Sequence, residues 1–557
     1  MDELSDRVVA DDSGELESLN IESPRKYNAG LPISRLPPEF LVNIFVECLN
    51  VLRWPSDPRA TVLRQHPRTL SQVCHHWRDV ALSAAILWTY FFVDRFSIFE
   101  AVKEQLRRSQ KAPLDLCILY PDLELAPSTI DHRPFSMIFR ELPRIRTLDL
   151  VLRPNDAKLP PWPQAPASSL EELRLSAYPQ VLDIEDEAYN EVLEGFVGPA
   201  DLASLETLSR IDFARRLDTI CPVLRSLTVS SLSFNFRDWI LPSILTSLKV
   251  YYASSPDVPI SFDDVMSALQ RLPHLTELTL EYALPQNATP GTGVCSPPVL
   301  PQLRKLTLVD SLRPSAYLLG GLRGSAASLD VSLVMRTYEE LGRHPSLSQV
   351  IRSGLRPQTI SITLGDEFQR WDDEECFVLK AWKKEYTVAE MHKRPASSTA
   401  DLKMTFVVDL DESFNADFSS LYKLIEGLPL SSTTTMYLNC VRTPASAFFP
   451  LSVFRSMKGL QTLHVVGNGN PYDVLQSWIW LLNQNRGLVF PALRVLYMEL
   501  FDFQVGFHRF LGALRRRQRL ARIEKLILRN CYSLSPEDVR ALEDVIAVDW
   551  DAQVRRH

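Results

Sequence analysis

LTELTLE at residues 275–281 and LRKLTLVD at 303–310 decide the fold. Both follow L-x-x-L-x-L, an alternation that puts the last two leucines on one face of an extended strand and the residue between them on the other. The phrase returns along the chain with aliphatic substitutes. It appears as PLDLCIL at 113–119, IRTLDLVL at 145–152, LEELRLS at 170–176, LRSLTVS at 224–230 and LTSLKVYY at 245–252. After residue 320 it continues as ASLDVSL (327–333), TISITLG (359–365), MTFVVDL (404–410), TTMYLNC (434–440), LQTLHVV (460–466), LRVLYMEL (493–500) and IEKLILRN (523–530). Most phrases start 21 to 33 residues after the one before, with longer gaps between 173 and 227 and between 360 and 406.

Segments between the phrases have helical spacing, among them FSIFEAVKEQLRRSQ at 96–110, SFDDVMSALQRLP at 261–273 and DVLQSWIWLLNQNR at 473–486. One strand and one helix cannot bury their own apolar edges, but stacked units share a continuous core. The alternative is an ordinary α/β sheet domain with alternating strands and helices. The recurrence of one phrase favours the stack, and it resembles an irregular leucine-rich-repeat array. The expected fold class is therefore α/β, a solenoid with parallel strands on the concave face and helices on the convex face. Ser535-Pro536-Glu537-Asp538 offers an N-cap, a proline at the first helical position and an acid in the first turn. The helix it starts, through Val545, is expected to close the last repeat.

In each strand the residue between the two inward leucines points out. These positions hold Asp149, Arg174, Thr228, Lys249, Thr279, Thr307, Asp330 and Ser361, then Tyr437, His464 and Tyr497. Exposed aromatic side chains on a rigid surface are binding anchors. Tyr437, His464 and Tyr497 are accordingly the candidate target-binding residues, the other possibility being a spacer array whose partner binds elsewhere.

Ahead of this ladder, residues 36–88 read as short amphipathic helices. LPPEFLVNIFVECLN (36–50) opens with prolines suited to a helix start and an acid at the positive end of the helix dipole. Phe40, Leu41, Ile44, Phe45, Cys48 and Leu49 then form an apolar stripe. A second helix is expected from Pro67, with Leu70, Val73, Cys74, Trp77, Val80 and Ala81 on one side. Ser83 is expected to cap a closing turn that ends in Leu87 and Trp88.

The order L-P-x-E (Leu36, Pro37, Glu39), then V-C-x-x-W-R (Val73, Cys74, Trp77, Arg78), then L-W (Leu87, Trp88) resembles the F-box, most closely its fungal F-box-like variants. The link NVLRWPSDPRATVLRQHP at 50–67 is longer than in the compact form of that family and reads as a loop. The resemblance implies docking on a Skp-type adaptor, and through it a cullin, by Leu36, Pro37, Leu41, Ile44, Val73, Cys74 and Trp77. Trp77 and Trp88 have a second role open to them, packing the three helices together. The expected organisation is a disordered acidic tail (1–33), an F-box-like domain (34–93), the repeats (95–548) and a C-terminal tail (549–557).

A net charge of −8 over 557 residues argues against a general nucleic-acid binder. Eight cysteines, none in a C-x-x-C pair and most in apolar runs, read as reduced core thiols. Residues 1–22 are acidic and lack the apolar core of a signal peptide. The charge-free run Val80–Val93 is shorter than the roughly 20 residues a membrane span needs. A cytoplasmic or nuclear protein is expected, with no membrane partner.

Motifs of chemistry are sparse. GTGVCS at 291–296 lacks the third glycine of a dinucleotide loop, and Pro297 and Pro298 follow it, so a surface loop is expected. His75 and His76, adjacent on a helix, point about 100° apart and do not share a metal. Asp372-Asp373-Glu374-Glu375 reads as a solvated loop. The basic run at 515–519 reads as a helix end complementing the dipole. The sequon Asn287-Ala288-Thr289 is idle in a reducing compartment.

A docking unit followed by repeats looks like the substrate receptor of a Skp–cullin–F-box ubiquitin ligase, a non-catalytic subunit without cofactor or metal. It would hold an unknown protein target by effective concentration and orientation. The alternatives are a repeat scaffold that has lost the adaptor and, more remotely, a hydrolase or transferase with a site the motifs do not show.

Overall fold

A computed structural model of the chain describes residues 27–50, 67–93, 97–119, 133–152, 166–177, 216–251, 261–285, 299–322, 330–336, 356–364, 374–386, 390, 402–409, 428–440, 451–467, 475–504 and 506–552, with short omissions inside some of these ranges. It is mixed α/β, built on parallel strands, and falls into two compact units: residues 1–183 with 219–224, and 184–218 with 225–557.

The first unit opens with helices α1 (Pro38–Asn50), α2 (Pro67–Leu70) and α3 (His75–Ser83), then a 3-10 turn, Ala85–Trp88. Leu41, Phe45, Leu70, Val80, Ala81, Leu87 and Trp88 form their shared core, with Leu36, Trp77 and Leu49 packed against it. The Phe45 and Trp77 rings meet at 4.8 Å.

Two local expectations are corrected. The helix begun at Pro67 stops at Leu70: the Gln72 and Val73 N–H groups donate only three residues back, to the Thr69 and Leu70 carbonyls at 3.1 and 3.4 Å, and a new helix starts at His75. Cys74 is its N-cap, the sulfur accepting the Trp77 N–H at 3.5 Å. Ser83 does not cap the closing turn. It ends α3, its hydroxyl donates to the Val80 carbonyl, and Ala84 precedes the turn. The disorder expected through 33 is corrected over residues 27–33. Pro32–Arg35 form a 3-10 turn, and Ser34 donates to the Asn28 carbonyl at 2.6 Å; residues 1–26 lie outside the described residues.

Strands β1 (Tyr90–Val93), β2 (Leu114–Leu119), β3 (Ile145–Leu152) and β4 (Glu172–Ala177) pair in parallel. β1 was not foreseen: it lies within the segment read as F-box-like, yet its register, Phe91 beside Leu116 and Val93 beside Ile118, makes it the first rung of the ladder. Helix α4 (Phe99–Ser109) ties the two parts together. Gln105 donates to the Tyr90 carbonyl at 2.6 Å, the Asp115 N–H to the Thr89 carbonyl at 3.0 Å, and the Arg108 guanidinium sits 4.4 Å from the Trp88 ring.

In the second unit β5 (Ser226–Ser230), β6 (Ser247–Tyr251), β7 (Glu277–Glu281), β8 (Lys305–Ser311) and β9 (Asp330–Arg336) pair in parallel. Leu227, Leu248, Leu278 and Leu306 stand in register and are fully buried, each contributing about 1.5–3 kcal/mol of hydrophobic stabilisation. Asp263 and Asp264 lie in the first turn of the helix Phe262–Gln270, which a Ser261–Asp264 capping box starts.

The parallel order then breaks. β10 (Thr359–Leu364), β11 (Glu374–Trp382) and β12 (Leu402–Asp409) form an antiparallel meander. It is inserted in reverse, so that β12 pairs with β9 and β10 with β13 (Thr435–Cys440). The uniformly parallel array expected from the phrases is corrected here. The solvated acidic loop is corrected in part: Glu374 and Glu375 open β11 opposite Asp409 and Val408, while Asp372 and Asp373 lie outside the described residues.

From β13 the strands are parallel again through β14 (Thr462–Val466), β15 (Val495–Glu499), β16 (Lys525–Arg529) and β17 (Ala547–Trp550). Among the described residues the pairings never return to a first strand, so no sheet closes. The Ser535 capping box is present, but its helix ends at Glu543 rather than Val545 and leads into a further strand, β17, instead of closing the last repeat. The C-terminal tail expected from 549 is corrected too. Asp549 binds Lys525 at 2.7 Å and Arg529 at 2.6 Å, and Asp551 accepts the Asn530 N–H at 2.7 Å.

The basic run at 515–519 is split by its helix, Phe507–Leu520. Arg515, Arg516 and Arg519 are exposed. Arg517 is buried and donates to the Val489 carbonyl at 2.7 Å and the Phe490 carbonyl at 2.5 Å, fastening a turn where Phe490 has a φ of 52°. Arg517→Met strands both carbonyls, with an expected loss of about 2–4 kcal/mol by urea unfolding.

Acid-base pairing also marks the outer face. Burial pushes the Glu277 carboxyl up, but bonds from Lys305 (2.9 Å) and Lys249 (3.1 Å) outweigh it and hold the group below the usual range. Its contribution to stability is present above the ordinary Glu range and lost as pH falls through the folded value. Glu281 is the reverse. Burial raises its pKa, so it favours the folded state at low pH and opposes it as pH rises through the folded value. Glu281→Gln is therefore expected to stabilise the protein at neutral pH by up to about 1 kcal/mol, with the gain vanishing in acid. Thermal melts at neutral and acid pH check this.

Candidate functional site

Two surfaces gather the candidate residues. The first lies on the helical unit. Adjacent helix positions point about 100° apart, so the apolar stripe of α1 splits into two faces. Leu41 and Phe45, four residues apart, are fully buried in the core. Phe40 and Ile44, also four apart, are 61% and 41% exposed, and Val73, in the turn before α3, is 56% exposed. Large apolar groups left in water on a unit that already has a core point to a partner.

The candidate adaptor-binding residues therefore divide. Pro37, Ile44 and Val73 are exposed and available for contact. Leu41 is not: it is core, and Leu36 and Trp77 pack against that core. Cys74 is half-buried and spends its sulfur capping α3. Phe40, the most exposed apolar side chain of α1, was absent from the candidate set; its spacing from Ile44 was the available signal. His75 and His76 are separate, as their spacing implied. His75 pairs with Asp79 one turn on at 2.9 Å, and His76 Nε2 is buried without a hydrogen-bond partner.

The second surface is the outward face of β13–β15. Tyr437, His464 and Tyr497 do stand side by side, in register across three strands. Their exposure is corrected: Tyr437 is 7% and His464 2% exposed, and Tyr497 is half-buried. Strands about 4.8 Å apart force large neighbours to cover one another. The His464 ring meets Tyr437 at 5.5 Å and Tyr497 at 4.1 Å, and its Nε2 lies 3.2 Å from Glu499 Oε2. Burial pushes the Tyr437 phenol up, with Glu390 and Glu385 adding to the shift; burial and Glu499 do the same to Tyr497. Neither phenol ionises near neutral pH, so the row offers aromatic surface and neutral hydroxyls.

Among the described residues no group of three His, Cys, Asp or Glu side chains could hold a metal ion, and no helix is long and apolar enough to cross a membrane. Cys117, Cys221 and Cys531 are buried and Cys48 is exposed. Burial pushes the Cys221 and Cys531 thiols up to about 12, which suits inert core positions. GTGVCS, the sequon at 287–289 and most of the 50–67 link lie outside the described residues. No protein-family model matches the chain, and no curated protein matches its sequence.

Proposed function

We propose that the chain is the non-catalytic substrate receptor of a Skp–cullin–F-box ubiquitin ligase: an F-box-like unit that docks on a Skp-type adaptor, carrying a leucine-rich-repeat solenoid that holds the target. The observation that carries this reading is the pair of faces on α1. A unit with its own core at Leu41 and Phe45 still presents Phe40 and Ile44 to water, and Val73 lies exposed beside the cap of the next helix. That surplus apolar surface is what an adaptor groove would cover.

The parallel strands supply the other half. Their inward leucines stack in register, as neighbouring repeats require, and their outward residues form rows able to contact a target. The receptor supplies position and leaves the chemistry to the enzyme it recruits. Co-purification of the full chain with a purified Skp-type adaptor tests the assignment. A stable complex is expected; no complex would leave a repeat scaffold in its place.

A further inference from the structure

The aromatic row on β13–β15 is covered in part by the chain itself. After Trp382 the chain leaves β11 and passes over the start of β10 and β13 as Lys383–Tyr386. The Tyr386 N–H donates to Thr359 Oγ1 at 2.9 Å, and the Tyr437 hydroxyl donates to the Tyr386 carbonyl at 3.2 Å. Glu385 accepts from the hydroxyls of Thr434 and Thr435 at 3.2 and 3.4 Å. The Tyr386 ring lies edge-on to Trp382 at 6.0 Å, with Lys384 Nζ 5.4 Å from it.

These contacts differ in kind from those that fasten the sheet. Lys384 and Glu385 are exposed, and these bonds run between threonine hydroxyls, the Tyr437 phenol, one carboxylate and the Tyr386 backbone rather than along a strand ladder. The anchoring partners Thr359, Thr435 and Tyr437 are themselves buried parts of β10 and β13, so they stay in place when the segment moves. Segments held by a few side-chain bonds open at lower free energy than strands held by a full ladder.

We propose that Lys383–Tyr386 is a strap that closes the Tyr437 end of the row and opens without unfolding the strands, yielding its place to a target segment of like chemistry. That segment is extended and carries one carboxylate. It brings a carboxylate to the Thr434 and Thr435 hydroxyls, a backbone carbonyl to Tyr437 and a backbone N–H to Thr359. The inference rests on the reading of this row as the target-holding face; the adaptor-binding face is in the other unit and is assayed separately.

The test uses the full chain in three forms: wild type, the opened variant Thr359→Val with Glu385→Ala, and the control Thr359→Ser with Glu385→Gln, which keeps the acceptors. Hydrogen exchange at the Tyr386 amide and nitration of Tyr437 by tetranitromethane, both read by mass spectrometry, report opening. In wild type the Tyr386 amide is expected to exchange well before that of Tyr437. In the opened variant both Tyr386 exchange and Tyr437 nitration are expected to rise about tenfold or more, with the control near wild type and the melting temperatures of all three alike. A synthetic peptide copying residues 382–386, at millimolar concentration, is expected to restore protection of Tyr437 in a variant opened by Glu385→Ala alone, which keeps Thr359, and its Glu→Ala form is not. Unchanged nitration in the opened variant, exchange of Tyr386 only together with the strand amides, or equal protection by both peptides would overturn the proposal. Adaptor co-purification is read on the same samples, so loss of the receptor assignment and loss of the strap are separate results.

Discussion

Replacing Phe40 and Ile44 together by Asp is expected to weaken adaptor capture by more than about 100-fold while leaving the melting temperature within a few degrees of wild type. Both side chains lie on the exposed face of α1 and outside its core, so charging them disturbs little of the fold. An apolar anchor in a partner's groove is worth about 2 kcal/mol or more, and two charges facing that groove cost further desolvation. The matched control is Phe45→Ala. Phe45 is fully buried against Trp77, and its truncation is expected to cost about 3–5 kcal/mol of stability, read by chemical unfolding. If the Asp pair melts the protein as Phe45→Ala does, the two faces of α1 are not independent.

The second large effect falls at Trp88, where the helical core meets the first strands. The ring is buried, its Nε1–H donates to the Ala81 carbonyl at 2.7 Å, and Arg108 lies over its face at 4.4 Å. Trp88→Ala is expected to cost about 3–5 kcal/mol. Trp88→Phe keeps most of the packing but strands the Ala81 carbonyl, at a cost of about 1–3 kcal/mol. Because Thr89 and Tyr90 carry the bonds to β2 and α4, the loss is expected to loosen β1 as well as the helices. Hydrogen exchange along β1 and α3 checks this: exposure of both together supports a shared joint, and exposure of α3 alone contradicts it.

Much of the ladder was legible because one phrase carries both signals a strand needs, alternation and leucine. Each of the L-x-x-L-x-L phrases, from PLDLCIL to IEKLILRN, coincides with a strand, β2 to β10 and β12 to β16. The three strands it missed lack the phrase for different reasons. β1, YFFV, is a continuous apolar run indistinguishable from the end of the helical core. β11 begins with two acids and runs antiparallel, so neither its composition nor its direction follows the repeat. β17, AVDW, puts Asp549 outward against Lys525 and Arg529, a pairing across strands that no local pattern encodes.

The candidate sites were legible in position and not in exposure. Tyr437, His464 and Tyr497 occupy the outward positions expected of them, but whether an outward side chain is open depends on its neighbours and, for Tyr437, on Tyr386, 51 residues away in sequence. On α1 the same limit appears in miniature. Periodicity placed Phe40 and Leu41 on one broad stripe, and only the packing of α3 and the closing turn shows which of them the core takes.

Mixing the purified full chain with a purified Skp-type adaptor at micromolar concentration, and weighing the product by size exclusion with light scattering, tests the central claim most directly. The account predicts one complex of one chain and one adaptor, lost with the Phe40 and Ile44 double substitution. Separate elution of the intact, folded chain and the adaptor would contradict it.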